Sequence, residues 1–456
     1  SCEKTSENLE IKQVANMASQ NLPPETLSKI KGMIREHLEK SSVFDNLKDT
    51  ITKESFDRLV DQEKILQTIK KEKIVENIMG DLKLSPDVTR KVHRQRKERS
   101  VEDYVKANKR LIHLKLVTGK AFVEYISSRE NAHFIVDVKF QDQRFVSKPV
   151  SCCEEPIFGE SFLLVLNPTE TNSKIELTDF ARLTAPIHIS VLKESPDGSR
   201  QLLSTKRLEW RILLSNGSVT LNVELSGVGN KSKLSVGVLE LQLDLLPKVT
   251  RLELVPDNVV SDRLSREQKY ENDGIHTFYE YSEDWWKDYK QIRPSHESRL
   301  IKIFCENEEG LFRPVSSMVR PLQANRVIES PFHAARFVSL IPYHKNEGPG
   351  GTRNEIWYSL HTFLAKRYGD SQEHAILLCS LLLGFGQEAY VCVGTSGEGA
   401  HTWVMTKVRD NSAESGHFKV TFWESVTGQR LESDDPRVHR YYRKIGCIFN
   451  HEEFYG

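Results

Sequence analysis

The chain has 456 residues, with Lys+Arg and Asp+Glu both at 64 and a formal net charge of zero. That length suggests roughly two to four domains, and 38% apolar with 28% charged residues predicts cores of ordinary size. Zero net charge excludes a global field that would steer the chain to nucleic acid or membrane, so a charged partner must meet a local patch. The seven cysteines show no CxxC pair and no spaced framework, which predicts a reduced, intracellular protein. The first residues are polar, and no apolar run reaches the ~18 residues of a membrane span, so neither a signal peptide nor a spanning helix is expected.

In chain order, residues 1–22 are polar and aperiodic and read as a disordered tail. Residues 23–89 read as an all-α module. Pro23 and Pro24 suit a helix start, and Leu27, Ile30, Ile34 and Leu38 form one stripe at helical spacing. Leu47, Ile51, Phe56 and Leu59, then Ile65, Leu66, Ile69, Val75, Ile78 and Met79, continue the pattern to Gly80. Such a bundle either self-associates and docks partners, or packs on its own chain; both readings stand. Residues 90–107 form a basic linker around the run Arg90 to Arg99. It reads as a solvated helix face, or as a patch for acidic protein or lipid. Without interleaved aromatic residues it gives no support to base stacking.

From 108 to 250 the period changes to two. Candidate strands are 111–118, 133–140, 144–150, 161–166, 187–193, 201–212, 219–225 and 234–246, with turn signals at Pro196-Asp197-Gly198, Asn216-Gly217 and Gly227-Val228-Gly229-Asn230. Eight short strands predict an antiparallel β-sandwich. The strand count and the string Lys120-Ala121-Phe122-Val123-Glu124 resemble a C2 domain. Calcium takes 6–8 oxygen ligands. The loops 127–131 and 226–233 lack the needed carboxylates, so no metal and no other cofactor is expected. Residues 251–297 read as a helical connector whose Tyr279, Tyr281, Trp285, Trp286 and Tyr289 either dock it on a neighbouring domain or form a partner surface.

Residues 298–456 read as α+β: a strand at 299–304, a helix and its exit over 331–341, a flexible loop at 348–352 and a helix at 356–367. A leucine-rich helix follows from Gly369-Asp370-Ser371-Gln372-Glu373-His374-Ala375, then strands at 389–393, 401–406 and 417–423. A hydroxyl at a helix start, His401 opening one strand and Glu424 closing a later one have the order of a nucleophile–base–orienter triad. A helix N-terminus favours a developing anion and offers N–H groups to an oxyanion. Ser371 taken alone reads equally as the cap of its helix, and His401 and Glu424 as structural residues.

The Gly-Asp-Ser-Gln-Glu-His-Ala opening, the string Gly384-Phe385-Gly386-Gln387-Glu388-Ala389-Tyr390 and His401-Thr402-Trp403-Val404 resemble the transglutaminase-like, papain-like peptidase core. Active members carry cysteine where this chain has Ser371, and serine does not reach the thiolate that drives that chemistry. The strings Gln291-Ile292-Arg293-Pro294-Ser295-His296, Phe422-Trp423-Glu424-Ser425 and Ile445-Gly446-Cys447-Ile448-Phe449-Asn450-His451 resemble the centrosomal protein of 76 kDa family, whose domain order also agrees. The resemblance implies a multidomain fold: an N-terminal all-α bundle, a C2-like antiparallel β-sandwich and a C-terminal transglutaminase-like domain. It implies a non-catalytic scaffold at the centrosome, centriole and basal body that limits centriole duplication by binding a centriolar capping protein. Tubulin tails or other centrosomal proteins are further expected partners, and Ser371, His401 and Glu424 become a degenerate triad. The alternatives are an active Ser-His-Glu acyl-transferase or peptidase, and a membrane-recruited C2 module.

Overall fold

A computed structural model describes residues 109–125, 131–167, 176–324, 327–345, 355–397, 399–409 and 418–456. The expected tail, helical module and basic linker lie outside the described residues, as do the loops at 127–130 and 348–352.

The first domain is a sandwich of nine strands: β1 (Arg110–Lys120), β2 (His133–Phe140), β3 (Gln143–Val146), β4 (Val150–Ser151), β5 (Ile157–Leu166), β6 (Ile187–Glu194), β7 (Arg200–Leu208), β8 (Ser218–Ser226) and β9 (Ser235–Leu246). One sheet has the order β5-β1-β9-β8, the other β3-β2-β6-β7 with β4 added on β2. Every pair in both sheets is antiparallel. Alternation supplies the core: Ile112, Leu114 and Leu116 meet Phe134, Val136 and Val138 across the layers, with Leu239, Leu241 and Leu243 beside them. Side chains two apart on a strand share a face, so each row buries as a unit.

Two expected strands differ from the fold. The stretch 144–150 splits into β3 and β4, because Ser147 leaves the ladder: its N–H donates to Val136 O and its Oγ accepts from Val136 N at 2.9 Å. The stretch 201–212 stops at Leu208. There Trp210 turns inward, fully buried, and donates Nε1–H to Ala185 O at 2.9 Å, and a short helix α1 (Leu213–Asn216) follows.

The helix α2 (Asp257–Ile292) spans 36 residues and is mostly exposed, burying only Val260, Ser282 and Tyr289. It runs between the two domains. Near its start Val260 and Leu264 join the sandwich core and Glu267 accepts from Arg211 at 2.7 Å. Near its end Trp285 meets Phe454 edge-on with centroids 5.8 Å apart, and Tyr289 takes a hydrogen bond from Arg299 at 2.7 Å. Its aromatic residues thus dock it on the C-terminal domain.

That domain begins with β10 (Phe304–Asn307) and β11 (Phe312–Pro314). The expected strand at 299–304 is instead irregular up to residue 303, because its backbone packs against another chain segment. Gly446 lies so close to the Leu300 carbonyl that a Cβ would not fit, and Lys302 N reaches Cys447 Sγ at 3.4 Å. Next come α3 (Pro331–Ser339), β12 (Ile356–Trp357), α4 (Leu360–Lys366) and α5 (Ser371–Gly384). The expected helix at 356–367 starts later, since Ile356 and Trp357 are buried as a strand parallel to β10. A six-stranded sheet follows: β13 (Glu388–Ser396), β14 (Gly399–Arg409), β15 (Phe418–Glu424), β16 (Gln429–Glu432), β17 (Tyr442–Phe449) and β18 (Phe454–Tyr455), in the order β16-β15-β14-β13-β17-β18. The short α6 (Val438–Tyr441) precedes β17.

The domains meet through β6, β7 and α4. Arg200 donates from Nη1 to Ala365 O at 3.3 Å, and the His188 and His361 rings face each other with centroids 3.9 Å apart. Burial pushes the His188 imidazole down to about 4, helped by Arg207, Arg320 and Lys139. Burial also pushes His361 down, helped by His188, Arg320, Arg144 and Lys139. Both rings are therefore neutral in the fold at neutral pH. Unfolded histidine titrates near 6.5, so below that pH the unfolded chain binds more protons and stability falls. Stability should be full above about 6.5 and drop between about 6.5 and 4, by on the order of 2–3 kcal/mol from His188. Denaturant titrations across that range should show the slope, and His188→Phe, which keeps a ring at the contact, should flatten it.

Candidate functional site

The helix α5 is buried along residues 371–382, so it has no face toward solvent there and forms the centre of its domain. Its start is fixed by a reciprocal capping box. Asp370 is extended, its Oδ1 accepts from Ser371 N at 2.6 Å, and its side chain also serves the Glu373 N–H. Glu373 returns the bond, its Oε2 accepting from Asp370 N at 2.6 Å. The cap is thus Asp370. Ser371, expected as nucleophile or as cap, is the first helical residue, and among the described residues its Oγ has Gln372 Oε1, at 3.5 Å, as its hydrogen-bond partner.

Below this start lies a charged cluster. The Lys366 ammonium, itself buried, sits over the Tyr358 ring at 3.4 Å from the centroid and the Tyr368 ring at 4.8 Å. Burial pushes it down to about 8, against the pull of Glu373, Glu308 and Asp370. Burial also raises the Glu373 carboxyl, opposed by Lys366 and the Asp370 N–H. Asp370 Oδ2 and Glu373 Oε1 are buried without a partner. His374 ties the helix start to the end of α3, with Nδ1 2.7 Å from Asp370 O and Nε2 3.0 Å from Ile341 O.

The other two expected site residues come together. His401 Nε2 lies 2.8 Å from Glu424 Oε2. With Nε2–H donating to the carboxylate, the Nδ1 lone pair is left as the basic atom. Tyr442 donates its hydroxyl to the same Oε2 at 3.4 Å, and Val426 N reaches Oε1 at 3.5 Å. Burial, then the Glu424 charge, raises the Tyr442 phenol. The His401 ring stacks on Trp403 with centroids 5.9 Å apart, and Trp403 stacks on Tyr442 at 4.5 Å. The pair remains reachable, with side chains 22% and 17% exposed.

The structure does not join Ser371 to this pair. Among the described residues no hydrogen bond links its hydroxyl to His401. The sheet explains the separation. α5 packs with Val391, Val393, Val404 and Trp423, while Cys392, Trp403, Phe422 and Tyr442 form a second cluster. Alternation assigns these to opposite faces, and His401 and Glu424 share the face of Trp403 and Phe422.

Clefts of about 1220 Å³ and 350 Å³ open between the sandwich, α2 and the β10–β11 hairpin, and neither is lined by Ser371, His401 or Glu424. Among the described residues no group of three or more His, Cys, Asp or Glu side chains is arranged to hold a metal. Sequence reasoning missed Asp370, Lys366 and Tyr442. The first had a readable signal, the Asp-x-x-Glu spacing of a capping box; Lys366 and Tyr442 had none, since their roles arise from packing.

A C2-type sandwich joined to a peptidase-like domain defines the class of this protein. Residues 103–251 match the family model described as the CEP76 C2 domain, and residues 355–456 that of the CEP76 peptidase-like domain. The centrosomal protein of 76 kDa from Pongo abelii is 36% identical over 476 residues, spanning 96% of this chain and 71% of that protein. The Homo sapiens protein of that name is 35% identical over 477 residues, and that of Danio rerio 36% over 478 residues. They cover 96% and 95% of this chain, and 71% and 70% of those proteins. The chain belongs to the centrosomal protein of 76 kDa family.

The cap assignment is testable. Asp370→Ala should cost about 1–2 kcal/mol of stability, while Ser371→Ala, which removes one long hydrogen bond, should cost less than about 1 kcal/mol. Urea unfolding followed by tryptophan fluorescence separates the two; a larger loss for Ser371→Ala would move the cap to the serine.

Proposed function

We propose that this chain is a non-catalytic centrosomal scaffold whose C-terminal domain keeps a degenerate transglutaminase-like frame and uses it to hold peptide. One observation carries the reading. Among the described residues the serine in the nucleophile position has a hydrogen bond to its neighbour Gln372 and none to His401, while His401 and Glu424 are paired with each other. General-base activation needs the base within about 2.6–3.2 Å of the hydroxyl. A serine without that contact has no route to an alkoxide, and its helix lacks the thiolate that a cysteine would supply. The exposed edge of the pair, backed by Trp403 and Tyr442, instead offers an imidazole nitrogen and an aromatic wall to a bound chain.

The names of the relatives place those proteins at the centrosome. We extend that location to this chain, with centriole and basal body as finer sites. The role is restraint of centriole duplication through a centriolar capping protein, with tubulin tails or other centrosomal proteins as further partners. A second reading, a Ser-His-Glu acyl-transferase or peptidase, is favoured by the intact His401–Glu424 pair.

Two experiments separate them. Serine- and cysteine-directed acylating probes should label neither the native chain at residue 371 nor Ser371→Cys. Labelling of the native serine would overturn the non-catalytic reading, and labelling gained only by Ser371→Cys would mark a working frame with a disabled nucleophile. In binding assays with centriolar partners and tubulin-tail peptides, His401→Ala should weaken capture about tenfold. Capture indifferent to both His401→Ala and Ser371→Ala would rule out peptide binding at this site.

A further inference from the structure

The two edges of the β5-β1-β9-β8 sheet are built differently. An exposed edge strand is a template for pairing with another chain, and proteins blunt such edges with bulges, lysines, prolines or covering groups. The β5 edge is blunted. Gln143 on the facing sheet donates from Nε2 to Val165 O at 2.7 Å and accepts at Oε1 from Val165 N at 2.8 Å, so its amide takes the place of a neighbouring strand. Gln141 does the same to Asn167, at 3.1 and 3.3 Å. Gly159, at φ +59°, further breaks the strand.

The β8 edge has none of these devices. Its nine residues, Ser218-Val219-Thr220-Leu221-Asn222-Val223-Glu224-Leu225-Ser226, contain no lysine, arginine or proline and one charge. Its pairing to β9 is regular from Ser218 to Leu225, with a shift only at the last residue. Among the described residues, no hydrogen bond joins the backbone of 218–225 to any group outside β9. The inward row Val219, Leu221 and Val223 stays half-buried against the core, while Ser218, Thr220, Asn222 and Glu224 are exposed.

We propose that β8 pairs antiparallel with β8 of a second copy of this chain, about a twofold axis at Asn222, joining two sheets into one of eight strands. The strand is self-complementary in that register. Leu221 falls opposite Val223 of the partner subunit and Val219 opposite Leu225 of the partner subunit, so the half-buried apolar rows become continuous. Thr220 falls opposite Glu224 of the partner subunit, so no like charges meet, and the central pair is Asn222 with its own copy. A partner strand must offer apolar side chains at alternate positions and an uncharged or basic one across Glu224, and β8 meets both conditions. A twofold contact of this kind is isologous and closes at the dimer. The proposal does not depend on how the His401–Glu424 pair is used.

The test is sedimentation velocity of the whole chain over a range of concentrations at physiological salt. The unaltered chain should dimerise. Asn222→Lys and Asn222→Glu, each placing like charges across the axis, should each weaken the dimer about tenfold or more. An equimolar mixture of the two variants should restore it. Circular dichroism of both variants should match the unaltered chain, as should thermal midpoints taken at a concentration where all three are monomeric, because Asn222 is exposed. A chain that stays monomeric, a dimer indifferent to both substitutions, or a mixture no tighter than either variant alone would overturn the proposal. Indifference to both would assign association to another surface.

Discussion

The junction of the two domains depends on one buried residue, Glu308, which holds α4 through its carboxylate and the sandwich through its backbone oxygen. It accepts from Ser359 N at 3.1 Å, from the Ser359 hydroxyl and from Thr362 Oγ1 at 2.8 Å, and so serves the first turn of α4. Its own backbone oxygen accepts from Gly229 N of the sandwich at 3.2 Å. A buried carboxylate is costly unless its lone pairs are filled; the start of α4 fills them, and the sandwich loop bonds the backbone of the same residue. With α4 fixed, His361 meets His188 and Ala365 meets Arg200. The C2-type domain and the peptidase-like domain thus share polar anchors in addition to apolar area, and α2 ties them at two further points.

The same anchoring sets the candidate site. α4 ends at Lys366, Arg367 takes a left-handed conformation at φ +63°, and α5 begins four residues later. Lys366, held by two tyrosine rings, lies under the Asp370–Glu373 capping box, so the start of α5 rests on a cation that burial has weakened. The reciprocal bonds of the cap fix this helix start in place. Asp370 and Glu373 take N–H groups that would otherwise be free for an oxyanion, which is the group that peptidase chemistry places there.

Much of the fold was legible because period and turn chemistry are local. The period of two gave the sandwich strands, and the aromatic density of 279–289 gave the docking end of α2. The departures have tertiary causes. Residues 299–303 look like a strand by composition but lie against Gly446, and 356–357 look helical but pair with β10. Trp210 ends β7 because its indole N–H finds Ala185 O. At the site, His401 and Glu424 lie 2.8 Å apart because they stand on adjacent strands whose register brings them together. Order could not say which face of the sheet they occupy relative to α5, because that depends on parity along β14, a property of the folded ladder.

That parity bears on what the pair can do. His401 and Glu424 are polar groups on the face opposite the central helix, among Trp403, Phe422 and Tyr442. A histidine whose Nε2–H is held by a carboxylate that Tyr442 also serves leaves its Nδ1 beside an aromatic surface. Such an arrangement suits recognition of a hydrogen-bond donor on a bound chain, and it works without a nucleophile. One physical constraint therefore governs both halves of the site: the ladder holds His401 and Glu424 together on one face of the sheet, and no hydrogen bond among the described residues joins Ser371 to them.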